Sequence, residues 1–271
     1  MSLLPADSLA FCLSGRVFER SYAENALPLD DFFRCAASND FTSVELRDSQ
    51  VGIDSPAADI DRVNALSEEL GINVELITAR KAKLDDEGGY AVFKRYLALA
   101  NKIKCAQIKV AGSDHGLLRR AAEAAAACGV KIGTNNHIGT PWETKAGTLA
   151  MLRKIDHPNF HCLFDPSHLW LKGETMDAAF LDALFDRISF VILQDYVVGE
   201  GDGFSAIGGV SVRPIGLGER GVVGYPAIIR ELSRRGYAGA YGLVQVRDGV
   251  GIPADSKALK AHCAGVCRVR E

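Results

Sequence analysis

In the segment FDPSH, a carboxylate and an imidazole stand three residues apart, at Asp165 and His168. On a helical turn that spacing places both on one face. The carboxylate can ligate a cation, bind a hydroxyl or take a proton. The imidazole can bind substrate or exchange a proton near neutral pH. The same pair also reads as a helix N-cap followed by a satisfied histidine in the next turn. Other residues able to do chemistry fall at the ends of short apolar runs. Glu45 and Arg47 close SVELR, and Gln107 and Lys109 lie in AQIKVA. Asn135, Asn136 and His137 follow VKIGT, Gln194 and Asp195 close SFVILQD, and Gln245 lies in YGLVQV. Any one of these can be a cap or a surface group. Polar residues converging from six runs read as a site, because burying unpaired polar groups costs free energy.

The stretch GLGERG at 216–221 matches G-x-G-x-x-G. A dinucleotide site needs a strand leading directly into the glycines. Here Pro214 interrupts the approach, so the stretch reads as a flexible substrate loop. A phosphorylated ligand stays open, with Arg213 and Arg220 as candidate contacts.

Positioning such a ring takes a particular scaffold. Eight strand-length runs (SLAFCLS, TSVELR, NVELITA, AQIKVA, VKIGTN, FHCLFD, SFVILQD and YGLVQV) alternate with eight helix-like stretches, the last being SKALKAHCAGVCRV. Within the helix-like stretches apolar residues recur at three and four, as in Ile60, Val63, Leu66 and Leu70. Gly71, Gly129 and Gly236 stand where C-terminal caps belong. Strict alternation requires a parallel sheet with right-handed crossovers. Eight units predict closure into one α/β domain over 1–271, a (β/α)8 TIM barrel, which typically needs about 250 residues. Residues 196–221 read as a long Gly-rich loop after the seventh strand, folding over the C-terminal face where active sites form. Asp156, His157 and His161 then belong to the opposite face, His262 to the last helix, and His115 to a helix start as a cap.

The formal net charge is −3, with 48% hydrophobic and 24% charged residues. That balance argues against disorder and against a general nucleic-acid binder. The seven cysteines are odd in number and form no C-x-x-C pair, so they read as small apolar residues in a reducing cytosol. MSLLPADSLAFCLSG lacks a basic region before an apolar one, and no apolar run reaches the roughly 20 residues of a membrane span. The expectation is a cytoplasmic protein acting on a small molecule, with no nucleic-acid or membrane partner. A homo-oligomer stays open.

Taken together, these segments resemble the xylose isomerase-like barrel superfamily, in particular its sugar phosphate isomerase/epimerase group. The carrying residues are SVELR, TNNHIGTPWE, LFDPSHLWLKGE, VILQDY and PIGLGERGVVGYPAIIRELSRRGYAGAYGLVQV. The resemblance implies a divalent cation held by a Glu, an Asp, a His and a Glu ending strands five to eight. At the matching positions stand Asn135, Asp165, Ile192 and Gln245, so three of the four ligands differ. Ligand charge drops from −3 to −1. Neutral amides hold a hard dication less strongly, and Ile192 offers no donor. No residue is therefore assigned to metal, and the cofactor stays unknown. The resemblance also implies proton transfer on a small sugar or polyol derivative, and here the mechanism must change. Glu45, Asp165 and His168 are the expected catalytic groups. Lys109, Asn135, His137, Asp195, Arg213 and Gln245 are the expected substrate contacts. The alternative is a non-catalytic carbohydrate-binding barrel or a subunit of a larger complex. An abasic-site endonuclease would need a zinc-ligand cluster and a basic face, and neither is apparent.

Overall fold

The computed structural model describes residues 9–21, 24–25, 27–215 and 221–244. Eight parallel strands close a barrel: β1 Phe11–Ser14, β2 Ser43–Leu46, β3 Asn73–Lys83, β4 Gln107–Ala111, β5 Lys131–Asn135, β6 Phe160–Phe164, β7 Ile188–Leu193 and β8 Ala240–Leu243. They follow one another in chain order around the barrel, and β8 pairs with β1 through Tyr241 and Phe11. The expected TIM-barrel architecture is present. The first strand begins at Phe11, midway along the run SLAFCLS.

Strand alternation sorts the side chains into two cores. Ile108 and Val110 of β4 join the outer core under the helices, as do Val44, Ile132, Phe164 and Val191. The inward set includes Cys12, Leu76, Leu163, Phe190, Ile192 and Ala240, an apolar plug in the barrel. Two glycines let that plug close. A Cβ on Gly242 would stand 2.1 Å from Phe190 Cζ, and one on Gly133 would stand 2.4 Å from the His161 carbonyl oxygen. A plug of this kind separates the mouth from the N-terminal end of the barrel, where Gln107 is buried at the start of β4.

The described helices are α1 Leu29–Ser38, α2 Ala57–Leu70, α3 Glu87–Lys102, α4 His115–Ala126, α5 Lys145–Ile155, a short α6 Pro166–Leu171, α7 Ala178–Leu184 and α8 Tyr225–Arg234. The expected eighth βα helix, with His262, lies outside the described residues. α2 stops at Gly71, whose φ of 66° is easy for glycine. α4 is capped by Asp114, whose Oδ1 accepts the Leu117 N–H at 2.8 Å; His115 is the first helical residue and not the cap. No helix among the described residues is long and apolar enough to cross a membrane. Cys12, Cys105 and Cys162 are buried and free, whereas Cys128 is exposed.

The segment after β7 has more structure than a loop. Asp195–Val198, Val210–Ile215 and Ser205–Ile207 form a three-stranded antiparallel sheet in that spatial order. Tyr196 and Val212 pack with Leu171 at the end of α6, and Ile138 and Trp170 flank them. The sheet therefore sits on the βα loops that follow β5 and β6. Residues 216–220 lie outside the described set.

At the other end, His161 enters β6. Burial pushes its imidazole down to about 4, with Lys131 and Arg187 adding to the shift. The folded chain then holds fewer protons than the unfolded chain between that value and the ordinary 6.5. Stability should fall as pH drops through this window. Urea midpoints of wild type and His161→Gln at pH 7 and pH 5 check this. The wild type should lose more on acidification; equal losses would show that His161 contributes nothing to the acid limb.

Candidate functional site

Four strand ends carry the centre of the mouth. Glu45 is the last residue but one of β2 and is 1% exposed. Its Oε1 accepts the Thr78 hydroxyl at 2.5 Å and lies 3.3 Å from Arg47 Nη1. Its Oε2 is buried without a hydrogen-bond partner among the described residues. Arg47 Nε in turn lies 3.0 Å from Glu19 Oε1, which also accepts the Ser49 hydroxyl. Burial works against the Arg47 charge, but Glu45 and Glu19 outweigh it and raise its pKa. Arg47 is thus committed to two glutamates.

Lys109 stands on β4, in register with Thr78 of β3 and Gly133 of β5. Its neighbours Ile108 and Val110 face the outer core, so Lys109 turns inward. On the β5 side it meets a residue with no side chain. Burial pushes its pKa down; the charges of Glu45 and Asp165 oppose this, and Arg47 reinforces it. No carboxylate among the described residues pairs with it.

Asp165 follows β6 and caps α6. Its Oδ1 accepts the Ser167 hydroxyl at 2.6 Å and the Ser167 N–H at 3.2 Å. Its Oδ2 accepts Gln194 Nε2 at 2.8 Å. Asn136 fixes the backbone at this point: its Oδ1 accepts the Asp165 N–H at 2.7 Å and its Nδ2 donates to the Asp165 carbonyl at 2.8 Å. His168, one turn along α6, accepts the Ile138 N–H on Nδ1 at 2.9 Å. A neutral ring so held carries its proton on Nε2, which faces Asp165 Oδ2 at 3.5 Å. That gap is too long for a strong hydrogen bond. Burial lowers the His168 pKa, with Asp165 working the other way. The exposed His137 ring lies 4.2 Å away, centroid to centroid.

The cap and the site are therefore one arrangement: Asp165 starts α6, and α6 presents His168. Glu45, Lys109, Asn135, Asp165 and His168 all belong to the mouth. Asn135 is 5% exposed, and its side chain makes no hydrogen bond to a described residue. Asp195 has a different place. Its Oδ1 accepts the N–H groups of Tyr196 and Val223 at 2.8 and 3.0 Å, so it ties the accessory sheet to the start of α8. Burial raises its pKa. Arg213 lies on that sheet, its guanidinium 5.6 Å from the Phe204 ring centroid. Gln245 and Arg220 lie outside the described residues. Sequence reasoning missed Thr78, Ser167 and Glu19, which orient the groups it found. His157 and Arg187 meet at the far end, where Arg187 Nη1 donates to the His157 carbonyl at 2.6 Å.

The donors do not fit a divalent cation. Ile192 is packed among Leu163, Phe190 and Leu76 in the apolar plug. Both Asp165 oxygens already accept hydrogen bonds. No group of three or more His, Cys, Asp or Glu residues converges among the described residues. A hard dication needs several converging anionic oxygens, and Glu45 and Asp165 are not joined by a third such ligand among the described residues.

Residues 33–262 match the family model described as xylose isomerase-like TIM barrel. Among solved structures, the chain is similar to the probable 3-DHS dehydratase AsbF of Bacillus anthracis, with 19% identity, a TM-score of 0.74, and 96% of this chain covering 99% of that one. It is similar to the IOLI protein solved with a zinc atom, with 13% identity, TM-score 0.75, and coverage of 97% and 98%. It is also similar to the D-psicose 3-epimerase of Clostridium cellulolyticum H10, solved with D-tagatose, with 15% identity, TM-score 0.72, and coverage of 97% and 98%. At these identities the likeness concerns the fold. No curated protein matches the sequence.

Proposed function

Because the chain belongs to the xylose isomerase-like TIM barrel family, we propose that it binds a small sugar or polyol derivative at the barrel mouth and moves protons on it with its own side chains. The observation that carries this reading is Glu45 Oε2: a carboxylate oxygen buried in the mouth, oriented through its partner oxygen by Thr78 and Arg47, and left without a hydrogen-bond partner among the described residues. A buried acceptor in this state favours a ligand hydroxyl or an acidic C–H. Asp165 and His168 support the same reading from across the mouth. Glu45 takes the proton from a carbon next to a carbonyl. The C–H bond breaks, its electron pair forms a C=C bond, and the carbonyl pair moves onto oxygen. Return of a proton to the former carbonyl carbon, while the hydroxyl on the deprotonated carbon gives up its proton to the enolate oxygen and becomes the new carbonyl, isomerises the sugar. Return of a proton to the opposite face of the deprotonated carbon, with the carbonyl re-formed, epimerises it. The accessory sheet over the loops after β5 and β6 limits water at this step.

Proton NMR in D2O with a panel of ketoses, aldoses and their acids tests this. At least one sugar should exchange the hydrogen beside its carbonyl, and exchange should persist after treatment with a chelator. Loss of exchange on chelation would overturn side-chain proton transfer. Saturation-transfer binding without exchange across the panel would identify a non-catalytic carbohydrate binder.

A further inference from the structure

We propose that the Lys109 ammonium is the resident cation of this mouth, taking the place of a divalent ion near Asp165 and holding the substrate oxygen that gains negative charge. The inference rests on the proton-transfer reading above and names the group that completes it. Three observations lead to it. Charge is unevenly paired: Arg47 is held by Glu45 and Glu19, while Lys109 is within electrostatic range of Glu45 and Asp165 and ion-paired to neither. Lys109 is also placed beside the base, since its β3 neighbour is Thr78, the residue whose hydroxyl donates to Glu45 Oε1. Three positions that could have supplied a competing ion site carry Asn135, Ile192 and Gln245, so a single +1 charge is matched to the single carboxylate retained there, Asp165.

An ammonium that forms no ion pair with either carboxylate has N–H donors left for a ligand. When Glu45 removes the proton, the carbonyl oxygen becomes an enolate oxygen, and Lys109 donates a hydrogen bond to it. A fixed cation aimed at developing charge acts most strongly where water is scarce. Nothing is oxidised or reduced, and Lys109 keeps its proton. The role differs from the acid/base work of Glu45 and His168.

The test uses Mn²⁺ alone, so it needs no sugar and stays separate from the D2O experiment. Four proteins are titrated by calorimetry: wild type, Lys109→Met, the triple variant Asn135→Glu, Ile192→His, Gln245→Glu, and that triple variant with Lys109→Met added. Wild type should bind weakly. The fourth protein should bind Mn²⁺ about tenfold or more tightly than the triple variant, because the ammonium competes for the same place. Equal affinity in these two would overturn the proposal. So would absence of binding in both while circular dichroism shows them folded, or tight stoichiometric binding by wild type. Should the fourth protein not fold, Lys109→Ala is melted with methylammonium chloride and with equal sodium chloride. Methylammonium should raise its Tm selectively and leave wild type unchanged; equal shifts would overturn the proposal.

Discussion

Asp165→Asn and His168→Ala should each slow proton exchange on the sugar by roughly 10²–10⁴-fold. The two fail for different reasons. In Asp165→Asn, one carboxylate oxygen becomes an NH2 group facing donors. Both oxygens now accept hydrogen bonds, from Ser167 and from Gln194, so either placement of the amide sets N–H against N–H or O–H. The variant also removes the anion that opposes burial at His168. The imidazole pKa, already below its ordinary value, should drop further, and the acidic limb of the pH–rate profile should move to lower pH. In His168→Ala the Ile138 N–H loses its acceptor and His137 loses its ring partner. Here the limb should disappear rather than move. A pH profile of exchange therefore separates the two variants, which a merely structural role for either residue would not do. His157→Ala is the control. Its Nδ1 accepts the Asn159 N–H at the far end of the barrel, so exchange should be intact. Unchanged exchange in both mouth variants would remove Asp165 and His168 from the chemistry.

The barrel was legible because every strand run is separated from the next by a helix-length amphipathic stretch, and that order admits few topologies. Where a strand begins is less legible. SLAFCLS is apolar throughout, and only pairing with Tyr241 sets the start at Phe11. The region after β7 was read as a loop on its glycine content, yet AIGGVSV carries a hairpin signal. Gly208 and Gly209 have φ of 60° and 86°, as a two-residue turn between strands requires. The mouth residues were found because inward polar side chains at strand ends break an apolar pattern. Their supports were not. Thr78 lies in the uniformly strand-like NVELITAR, and Glu19 follows a 3-10 turn; each acts on the site through contacts distant in sequence, Thr78 with Glu45 and Glu19 with Arg47 and Ser49. For Asp195 position shows less than the contacts do: it matches the ring, and its Oδ1 also accepts the backbone N–H groups of Tyr196 and Val223 at the edge of the accessory sheet.

Asn136 should prove the costliest single residue to alter near the site. It is fully buried, and it bonds both backbone polar groups of Asp165, joining the end of β5 to the end of β6. Asn136→Ala leaves a buried N–H and a buried C=O unpaired, at a cost of about 1–3 kcal/mol each. A loss of roughly 2–5 kcal/mol in urea unfolding is expected, together with slower exchange, because Asp165 is no longer held. Asn136→Asp distinguishes bonding from mere packing. A protonated carboxyl there can accept the Asp165 N–H and donate to the Asp165 carbonyl, reproducing both bonds. The ionised form sets a charge against that carbonyl oxygen, so burial and repulsion raise the folded-state pKa above the unfolded value near 3.9. The folded chain then holds more protons than the unfolded chain in the window above that value. Linkage requires stability to fall as pH rises through it. Relative to wild type at each pH, Asn136→Asp should therefore be least impaired near pH 4 and most impaired at pH 7, while the deficit of Asn136→Ala stays flat. Parallel deficits for the two variants across that range would show that the side chain fills space between the strands and that its two hydrogen bonds contribute little.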